Sequence, residues 1–325
     1  MHARLWQGVL LLLLVISGCS TAPQSRLLLK QQPAGLPLKV ELTSTPFFPQ
    51  QAYQCGPAAL ATVLNAQQVK VIPGALVDRI YIPEREGSLQ IEMISAARDH
   101  GMVVYPLAPR LDHLLTEIAA GYPVLLMQNL ALDWYPRWHY AVAVGYDLDE
   151  GLVILRSGTM ERRFTPLATF EQTWRRADYW AQILLPPGQL PVTARPLAYI
   201  QAVHALEQGG KPQLALSAFR SAVQQWPENK TTLMAWGNAE YGAGNLEQAE
   251  NAFRQAVDHY PAAVDAWNNL AYVLSARQCG SAARQAIDCA LLLAPDNVNI
   301  QDSARELSQI RDADGGDCLP VECPL

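Results

Sequence analysis

A cysteine at the start of a predicted helix is the residue whose surroundings point most directly to chemistry. Cys55 is followed by Gly56 and Pro57 and then by the helix formers of residues 58–61. Proline is favoured in the first helical turn, where no hydrogen-bond donor is lost, so the helix should begin at the cysteine. Unpaired N–H groups and the helix dipole favour negative charge at this end. The thiolate is the reactive form of a cysteine, so we predict a nucleophile that loses its proton easily.

A base and an oxyanion donor are available elsewhere in the sequence. His139 lies near the start of the strand-like run WHYAVAVGY, residues 138–146. A nucleophilic thiol needs a base within hydrogen-bond reach, and the base needs a residue that orients it. Gln50 and Gln51 precede the cysteine, and Gln50 is the better candidate to donate an amide N–H to an oxyanion. The predicted reaction is acyl transfer, in which Cys55 attacks a carbonyl and His139 protonates the leaving amine.

The elements that must position these residues form an α+β pattern over residues 37–188. Helices come first and an antiparallel sheet follows, which predicts a helix packed on a sheet. Ser88 is the predicted N-cap of the second clear helix, and Asp147 begins the turn after the histidine strand. The predicted helices cover residues 55–66, 74–81, 87–100, 111–120 and 166–175. The predicted strands cover residues 38–42, 103–107, 124–128, 138–146, 152–156 and 179–185, with a further short strand at 162–165.

These motifs resemble a known family. The segment QQAYQCGPAAL (50–60), the HY pair at 139–140 and GYD at 145–147 resemble the bacteriocin-processing, double-glycine leader peptidases, which are papain-like cysteine peptidases. The resemblance covers about Leu38 to Leu185. It implies a papain-like α+β fold, a catalytic cysteine and histidine at Cys55 and His139, and an oxyanion glutamine at Gln50.

The resemblance also implies an aspartate or asparagine on the strand after the histidine. This chain has Arg156-Ser157-Gly158 at that place. Ser157 offers a hydroxyl in place of a carboxylate, and Asp147 lies in the intervening turn. Both residues are therefore candidates for the group that orients His139.

The N-terminus has the pattern of an export signal. Arg4 precedes an apolar run, residues 9–16, that is too short to span a membrane. The sequence Ile16-Ser17-Gly18-Cys19 resembles a bacterial lipoprotein signal, which would be cut to leave a lipidated Cys19. Ser20 rather than an aspartate follows, so we expect an outer-membrane protein that faces the periplasm and is held by its lipid alone, with residues 19–36 as a tether. An ordinary secretory signal is the alternative.

The composition excludes some classes of function. The formal net charge is −6 and there is no basic run, so nucleic acid binding has little electrostatic support.

Four cysteines near the C-terminus allow two disulfides in three pairings. We favour a tail, residues 312–325, that is pinned back onto the preceding segment. No CxxC pair or nearby histidine supports a metal site, and no cofactor is expected. The four candidates are Cys279, Cys289, Cys318 and Cys323.

A repeat of 34 residues marks the second half of the chain. Pro227, Pro261 and Pro295 are spaced 261 − 227 = 34 and 295 − 261 = 34 residues apart. The same period aligns Tyr199 with Leu233 and Trp267, Phe219 with Phe253 and Ile287, Ala215 with Ala249 and Ala283, and Ala222 with Ala256 and Ala290. These columns resemble three tetratricopeptide repeats, over residues 196–229, 230–263 and 264–297, with a capping helix at 300–311. Such an all-α solenoid binds peptides or protein segments, or only stabilises the first domain.

The leading hypothesis is an exported, lipid-anchored cysteine peptidase whose repeats bind a substrate or partner protein. Two alternatives remain open. One is an adaptor whose peptidase-like domain binds peptides without cleaving them. The other is a papain-like amidase or acyltransferase, because the same Cys–His chemistry serves all of these reactions.

Overall fold

The structure is a computed structural model that describes residues 22–50, 54–309 and 318–323. Contacts within the chain divide the described residues into two compact units. One contains residues up to 96 together with 106–184, and the other contains residues 97–105 together with those from 185 onward. The predicted signal peptide and Cys19 lie outside the described residues.

The first part of the chain contains both helices and strands. Its helices are α1 (Pro23–Lys30), α2 (Cys55–Ala66), α3 (Pro73–Ile80), α4 (Gln90–Asp99), α5 (Leu111–Ala119) and α6 (Leu167–Arg175). Its strands are β1 (Lys39–Glu41), β2 (Tyr81–Ile82), β3 (Gly87–Ser88), β4 (Val103–Pro106), β5 (Val124–Asn129), β6 (Trp138–Asp147), β7 (Leu152–Ser157), β8 (Met160–Pro166) and β9 (Ala181–Leu185).

The main sheet has the order β4-β9-β5-β6-β7-β8, and β1 pairs with the C-terminal end of β6. Strand β6 is its longest strand and pairs antiparallel with β5 over its first half and with β7 over its second. The β6–β7 register ends at the pair Val142–Arg156. The first residues of β6 therefore lack a strand partner on the β7 side, and that end of the sheet is open to side chains from other elements.

Helix α2 is buried on all sides. Every residue from Gly56 to Leu64 is buried, and the helix packs against α3 and the strands β3, β5, β6 and β7. A helix that is apolar all round belongs inside a fold rather than on its surface. Burial of the body of α2 fixes its N-terminus, and with it Cys55, against the open end of β6.

The predicted tether is partly wrong, because residues 23–30 form helix α1. The buried carboxylate of Glu171 on α6 accepts hydrogen bonds from the backbone N–H of Gln24 at 3.0 Å and of Ser25 at 2.6 Å, and from the Ser25 hydroxyl at 2.6 Å. A carboxylate at a helix N-terminus satisfies its unpaired donors and is stabilised by the helix dipole. Nothing near residue 24 in the sequence signals this contact, since its partner is 147 residues away.

The predicted start of α4 is also shifted. Gly87 and Ser88 pair with Ile82 and Tyr81 in a two-stranded ribbon, and the helix begins at Gln90. Ser88 is therefore a strand residue and not the N-cap. Its hydroxyl is buried and has no hydrogen-bond partner among the described residues.

The second part of the chain contains the predicted repeats as three helix pairs and a final helix. Each second helix ends two residues before one of the repeated prolines, as expected for a residue that cannot continue a helix. All twelve residues of the four aligned columns are buried, at 3% exposure or less. The final helix ends at Leu307, and residues 310–317 lie outside the described part. The helices are α7 (Pro196–Gln208), α8 (Pro212–Gln225), α9 (Lys230–Gly242), α10 (Leu246–His259), α11 (Val264–Ala276), α12 (Gly280–Leu293) and α13 (Val298–Leu307).

Two disulfides confirm the predicted attachment of the tail. Cys318 is bonded to Cys279 and Cys323 to Cys289, so both ends of the described tail are held on the last repeat. Between them Val321 is buried, and Arg254 on α10 donates to the carbonyl of Leu319 at 2.8 Å. The disulfides therefore close the end of the array, where a terminal repeat lacks a neighbour.

Candidate active site

Cys55 is the first residue of α2, as predicted, but its thiol is not acidic. Burial raises the pKa of the Cys55 thiol, and hydrogen bonds from the backbone of Tyr140, Gly56 and Cys55 itself oppose this shift only in part. The prediction of an easily lost proton is thus wrong, because desolvation of a thiolate outweighs the helix terminus here. At neutral pH the resting side chain is a thiol. Among the described cysteines it is the free one.

His139 is the second residue of β6, and its ring is held by Ser157. The distance from His139 Nε2 to Ser157 Oγ is 2.8 Å. Ser157 is the last residue of β7 and is 1% exposed. When Nε2 carries the proton, it donates to the hydroxyl and leaves Nδ1 as the acceptor. Ser157 therefore orients the imidazole, although it supplies no negative charge to stabilise an imidazolium.

The resting imidazole is neutral. Burial lowers the pKa of His139 to about 4, and the positive charges of Arg163 and Arg137 add to the shift. The Cys55 thiol, whose pKa is raised, lines the same cleft. Both side chains are therefore uncharged at neutral pH.

The backbone of Tyr140 connects three of the predicted site residues. It follows His139 in the chain, and its backbone hydrogen-bonds to the Cys55 sulfur. Its carbonyl accepts a hydrogen bond from Gln50 Nε2 at 3.4 Å. These contacts are available because β7 does not reach this part of β6. Cys55, His139 and Gln50 are thereby brought to one place, whereas Gln51 lies outside the described residues.

The side chain of Tyr140 makes two further contacts at the candidate site. Its hydroxyl donates to the carbonyl of Ser88 at 3.2 Å, and its ring packs edge-on against Trp180 at 5.6 Å between centroids. A Cβ added at Gly56 would lie 2.4 Å from Ser88 Oγ. The start of α2 therefore needs glycine after the cysteine, because β3 packs directly on it.

Arg156 is a positioning residue that the sequence reasoning missed. Its side chain is 3% exposed and donates to the carbonyl of Thr45 at 3.2 and 3.3 Å and to that of Glu161 at 2.6 Å. It thus connects the segment that leads to Gln50 to the start of strand β8. Burial lowers the pKa of Arg156. An arginine within the apolar strand LVILRS was the available signal, since buried charges need specific partners.

Asp147 does not orient His139. It is the last residue of β6, eight positions beyond the histidine, which places it about 25 Å along the strand. Its carboxylate pairs with Lys39 at 2.7 Å and accepts from the backbone N–H of Glu150 at 3.1 Å. Asp147 is therefore a turn residue, and its candidacy for the site is wrong.

The site residues line one cleft of about 770 Å³. Trp138 is 52% exposed on its wall, and Trp134 and Tyr135, in the turn before it, are 81% and 71% exposed. These aromatic residues are surface residues rather than core. The lining residues are Gln50, Cys55, Arg85, Glu86, Gly87, Ser88, Leu89, Pro136, Arg137, Trp138, His139 and Tyr140.

The described part of the chain has neither a cluster of metal-binding side chains nor a membrane-spanning helix. No group of three or more histidine, cysteine, aspartate or glutamate side chains there is arranged to hold a metal ion. Within the same residues, no helix has both the length and the apolar character to cross a bilayer.

Two family models match the chain. Residues 42–181 match the Peptidase_C39 like family, and residues 234–298 match the tetratricopeptide repeat. No curated protein matches the chain.

Solved structures that resemble the chain fall into the same two groups. A candidate C39-like peptidase from Bacillus anthracis is 18% identical, with a TM-score of 0.38 over 45% of this chain and 97% of the other. The first repeat domain of Spaghetti (RPAP3), bound to an HSP90 peptide, is 19% identical, with a TM-score of 0.33 over 35% and 90%. The second repeat domain of human RPAP3, with an HSP70 peptide, is 16% identical, with a TM-score of 0.32 over 34% and 91%. The predicted fold class is confirmed by the family matches: the chain carries a C39-like peptidase domain of mixed α and β structure, followed by a helical tetratricopeptide-repeat region.

Proposed function

We propose that the chain is a cysteine peptidase that cleaves peptide bonds by acyl transfer through Cys55 and His139. The observation that carries this proposal is the hydrogen bond from His139 Nε2 to Ser157 Oγ at 2.8 Å, in the cleft that Cys55 also lines. An inert buried cysteine has no need of an oriented imidazole in the same cleft. A nucleophile needs a base, and a base needs an orienting partner.

The reaction begins from the neutral pair. Nδ1 of His139 takes the thiol proton as the Cys55 sulfur bonds to the substrate carbonyl carbon. The carbonyl oxygen becomes an oxyanion, which accepts from the backbone N–H of Cys55 and from Gln50 Nε2 after the amide leaves the Tyr140 carbonyl. The imidazolium then protonates the leaving amine as the C–N bond breaks. Water, deprotonated by the same imidazole, releases the acid and restores the thiol.

The energetic weakness of this site is the imidazolium. Burial and two arginines disfavour it, and Ser157 offers only a dipole. We therefore expect a slow enzyme, whose rate depends on how far the bound substrate offsets the charges of the two arginines.

The repeats bind a peptide or a protein in this proposal. Stacked helix pairs of this kind present an extended surface that binds peptides. The first helices of neighbouring repeats also present polar side chains, since Asn269 on α11 donates to Asn238 on α9 at 2.9 Å. The repeats then hold the substrate or a partner protein, and the cleft performs the reaction.

The test is digestion of a mixed peptide library by the full chain, followed by mass spectrometry of new termini. Wild type should generate new peptide termini, whereas Cys55→Ala and His139→Ala should generate none. An equal yield of termini from wild type and Cys55→Ala would refute the peptidase.

A peptide-binding adaptor is the second candidate, and the neutral thiol–imidazole pair with a serine orienter favours it. It differs from the peptidase in retaining full peptide affinity with no covalent intermediate. Rapid acid quenching of wild type with a peptide ester, then intact-mass measurement, separates the two. An acyl-enzyme on Cys55 excludes the adaptor. An amidase or acyltransferase would form the same intermediate from a non-peptide ester or amide while leaving the peptide library uncut.

We also propose that Cys19 carries a lipid that holds the protein on the periplasmic face of the outer membrane. The support is the lipoprotein-like sequence around Cys19. Helix α1 begins at Pro23, four residues after this cysteine. The Cys19→Ala chain should move from the membrane fraction to the soluble fraction. An unchanged distribution would refute the anchor.

A further inference from the structure

The wall of the cleft carries more positive than negative charge. Arg85 and Arg137 line the cleft, and both are exposed. Arg163, on β8, is close enough to act electrostatically on His139. In the described residues none of these three guanidinium groups makes an ion pair, whereas the neighbouring Arg162 pairs with Glu41 at 2.7 Å. Since the whole chain has a net charge of −6, the positive cleft is a local feature.

Glu86 is the acidic residue among those that line the cleft. The two lining arginines outnumber it, so the local balance of charge remains positive. A charge of this sign in a cleft with low-dielectric walls attracts anions and raises their local concentration.

The same cleft offers apolar surface beside the charges. Trp138 and Leu89 line it and are 52% and 37% exposed. Trp134 and Tyr135 extend the apolar surface along the β5–β6 turn, with ring centroids 6.1 Å apart. Exposed aromatic clusters are unfavourable in water and mark surfaces that a partner covers.

We propose that the cleft takes an acidic peptide segment, whose carboxylates pair with Arg85 and Arg137 and whose apolar side chain covers Trp138 and Leu89. This inference rests on the proposed function and names the substrate class for the same cleft. The two cations are too few for a nucleic acid backbone on a chain of net negative charge. A peptide supplies both the apolar side chain and the isolated negative charges.

A consequence for the base follows from the same geometry. An acidic side chain bound at Arg137 offsets one of the two positive charges that lower the pKa of His139. The substrate then makes its own base stronger. Acidic peptides should accordingly gain in turnover as well as in affinity.

Binding is tested with the full chain carrying Cys55→Ala, so that no turnover occurs. The probes are three short peptides with the same phenylalanines and with glutamate, glutamine or lysine at the remaining variable positions. Each carries an uncharged fluorophore, and binding is followed by anisotropy. The glutamate peptide should bind about tenfold more tightly than the glutamine peptide at low salt, and the difference should shrink at about 0.5 M salt.

Variants locate the effect. Arg85→Gln and Arg137→Gln should each weaken binding of the glutamate peptide about threefold and leave binding of the glutamine peptide unchanged. Arg162→Gln is the matched control, because it removes the same charge from a residue that already pairs with Glu41. It should change neither affinity.

Several results would overturn the inference: equal affinity for the glutamate and glutamine peptides, no binding of any peptide, an equal loss in Arg162→Gln, or equally tight binding of a single-stranded oligonucleotide. The two proposals fail separately. A chain that prefers the glutamate peptide but cleaves nothing refutes only the peptidase. A chain that cleaves glutamine and glutamate peptides equally well refutes only the acidic substrate.

Discussion

Replacing Ser157 by aspartate would place a carboxylate against His139 and should make the candidate site more reactive. The Ser157 hydroxyl is 2.8 Å from His139 Nε2, so one oxygen of an aspartate reaches the ring from the same backbone position. A negative charge there stabilises the imidazolium that burial and two arginines now disfavour. The perturbation therefore acts on the weakest feature of the proposed mechanism.

The magnitude follows from the geometry. A unit charge about 4 Å from the imidazolium contributes about 4 kcal/mol at an effective dielectric constant of about 20. Burial of the new carboxylate at a position that is 1% exposed removes much of this gain. We expect the pKa of His139 to rise from about 4 to between about 5 and 6. The thiolate–imidazolium pair becomes about ten- to hundredfold more populated, and the alkylation rate rises about three- to tenfold, because a less basic thiolate is also less nucleophilic.

The assay is the rate at which a thiol-directed electrophile labels Cys55 at neutral pH, read by intact mass. Ser157→Asn is the matched control, since it keeps a hydrogen-bonding side chain of similar size but adds no charge. It should label at about the wild-type rate, and Ser157→Ala should label more slowly. A Ser157→Asp chain that is folded but labels no faster than Ser157→Asn would refute the electrostatic argument.

Three further predictions concern stability. Gly56→Ala should cost about 1–3 kcal/mol in urea unfolding, because its Cβ would lie 2.4 Å from Ser88 Oγ, whereas Gly74→Ala, with open space around it, should cost nothing. Cys318→Ser should lower the unfolding free energy of the last repeat by up to about 4 kcal/mol, since the disulfide it breaks closes a separation of 39 residues. The pKa of His139 is lower in the folded chain than in the unfolded one. The unfolding free energy that depends on this neutral side chain is therefore fully present above pH 6.5 and is lost as the pH falls towards about 4, which urea unfolding at a series of pH values measures. It amounts to about 3 kcal/mol and should be absent from His139→Gln.

Each of these has a clear contrary result. Equal stability of the two glycine variants would mean that β3 does not constrain the start of α2. A Cys318→Ser chain with unchanged unfolding would mean that the tail adds nothing to the last repeat. A His139→Gln chain with the same acid sensitivity as wild type would assign that sensitivity to other groups.

The repeats were predictable because their signal is local and copied. A single column such as Phe219, Phe253 and Ile287 means little, but four columns at one period fix the helix pairs and their buried faces. The helix at Cys55 was predictable for a related reason. Its proline and its small apolar residues mark the start of the helix, and they all lie close to the cysteine in the sequence. Local propensity and packing agree in both regions, and such agreement is what sequence patterns express.

The features that sequence reasoning missed depend on partners far along the chain. Helix α1 is stabilised by Glu171, and Ser88 is placed by pairing with β2 rather than by capping a helix. The thiol pKa was wrong because helix position is visible in a sequence, while the burial that outweighs it is not. The roles of Arg156 and Asp147 were misjudged for the same reason, since only the fold shows that Arg156 bonds to Thr45 and Glu161 whereas Asp147 pairs with Lys39.

The most direct test of the central claim is the dependence of Cys55 labelling on His139. The full chain and its His139→Ala variant would be treated with a peptidyl electrophile at pH 7, with Cys55→Ala to define background. If the two residues act as one unit, wild type should label at least about tenfold faster than His139→Ala, and only the variant should need high pH to recover its rate. Equal labelling rates in the two chains, both at pH 7 and at high pH, would contradict the assignment of Cys55 and His139 as a nucleophile and its base.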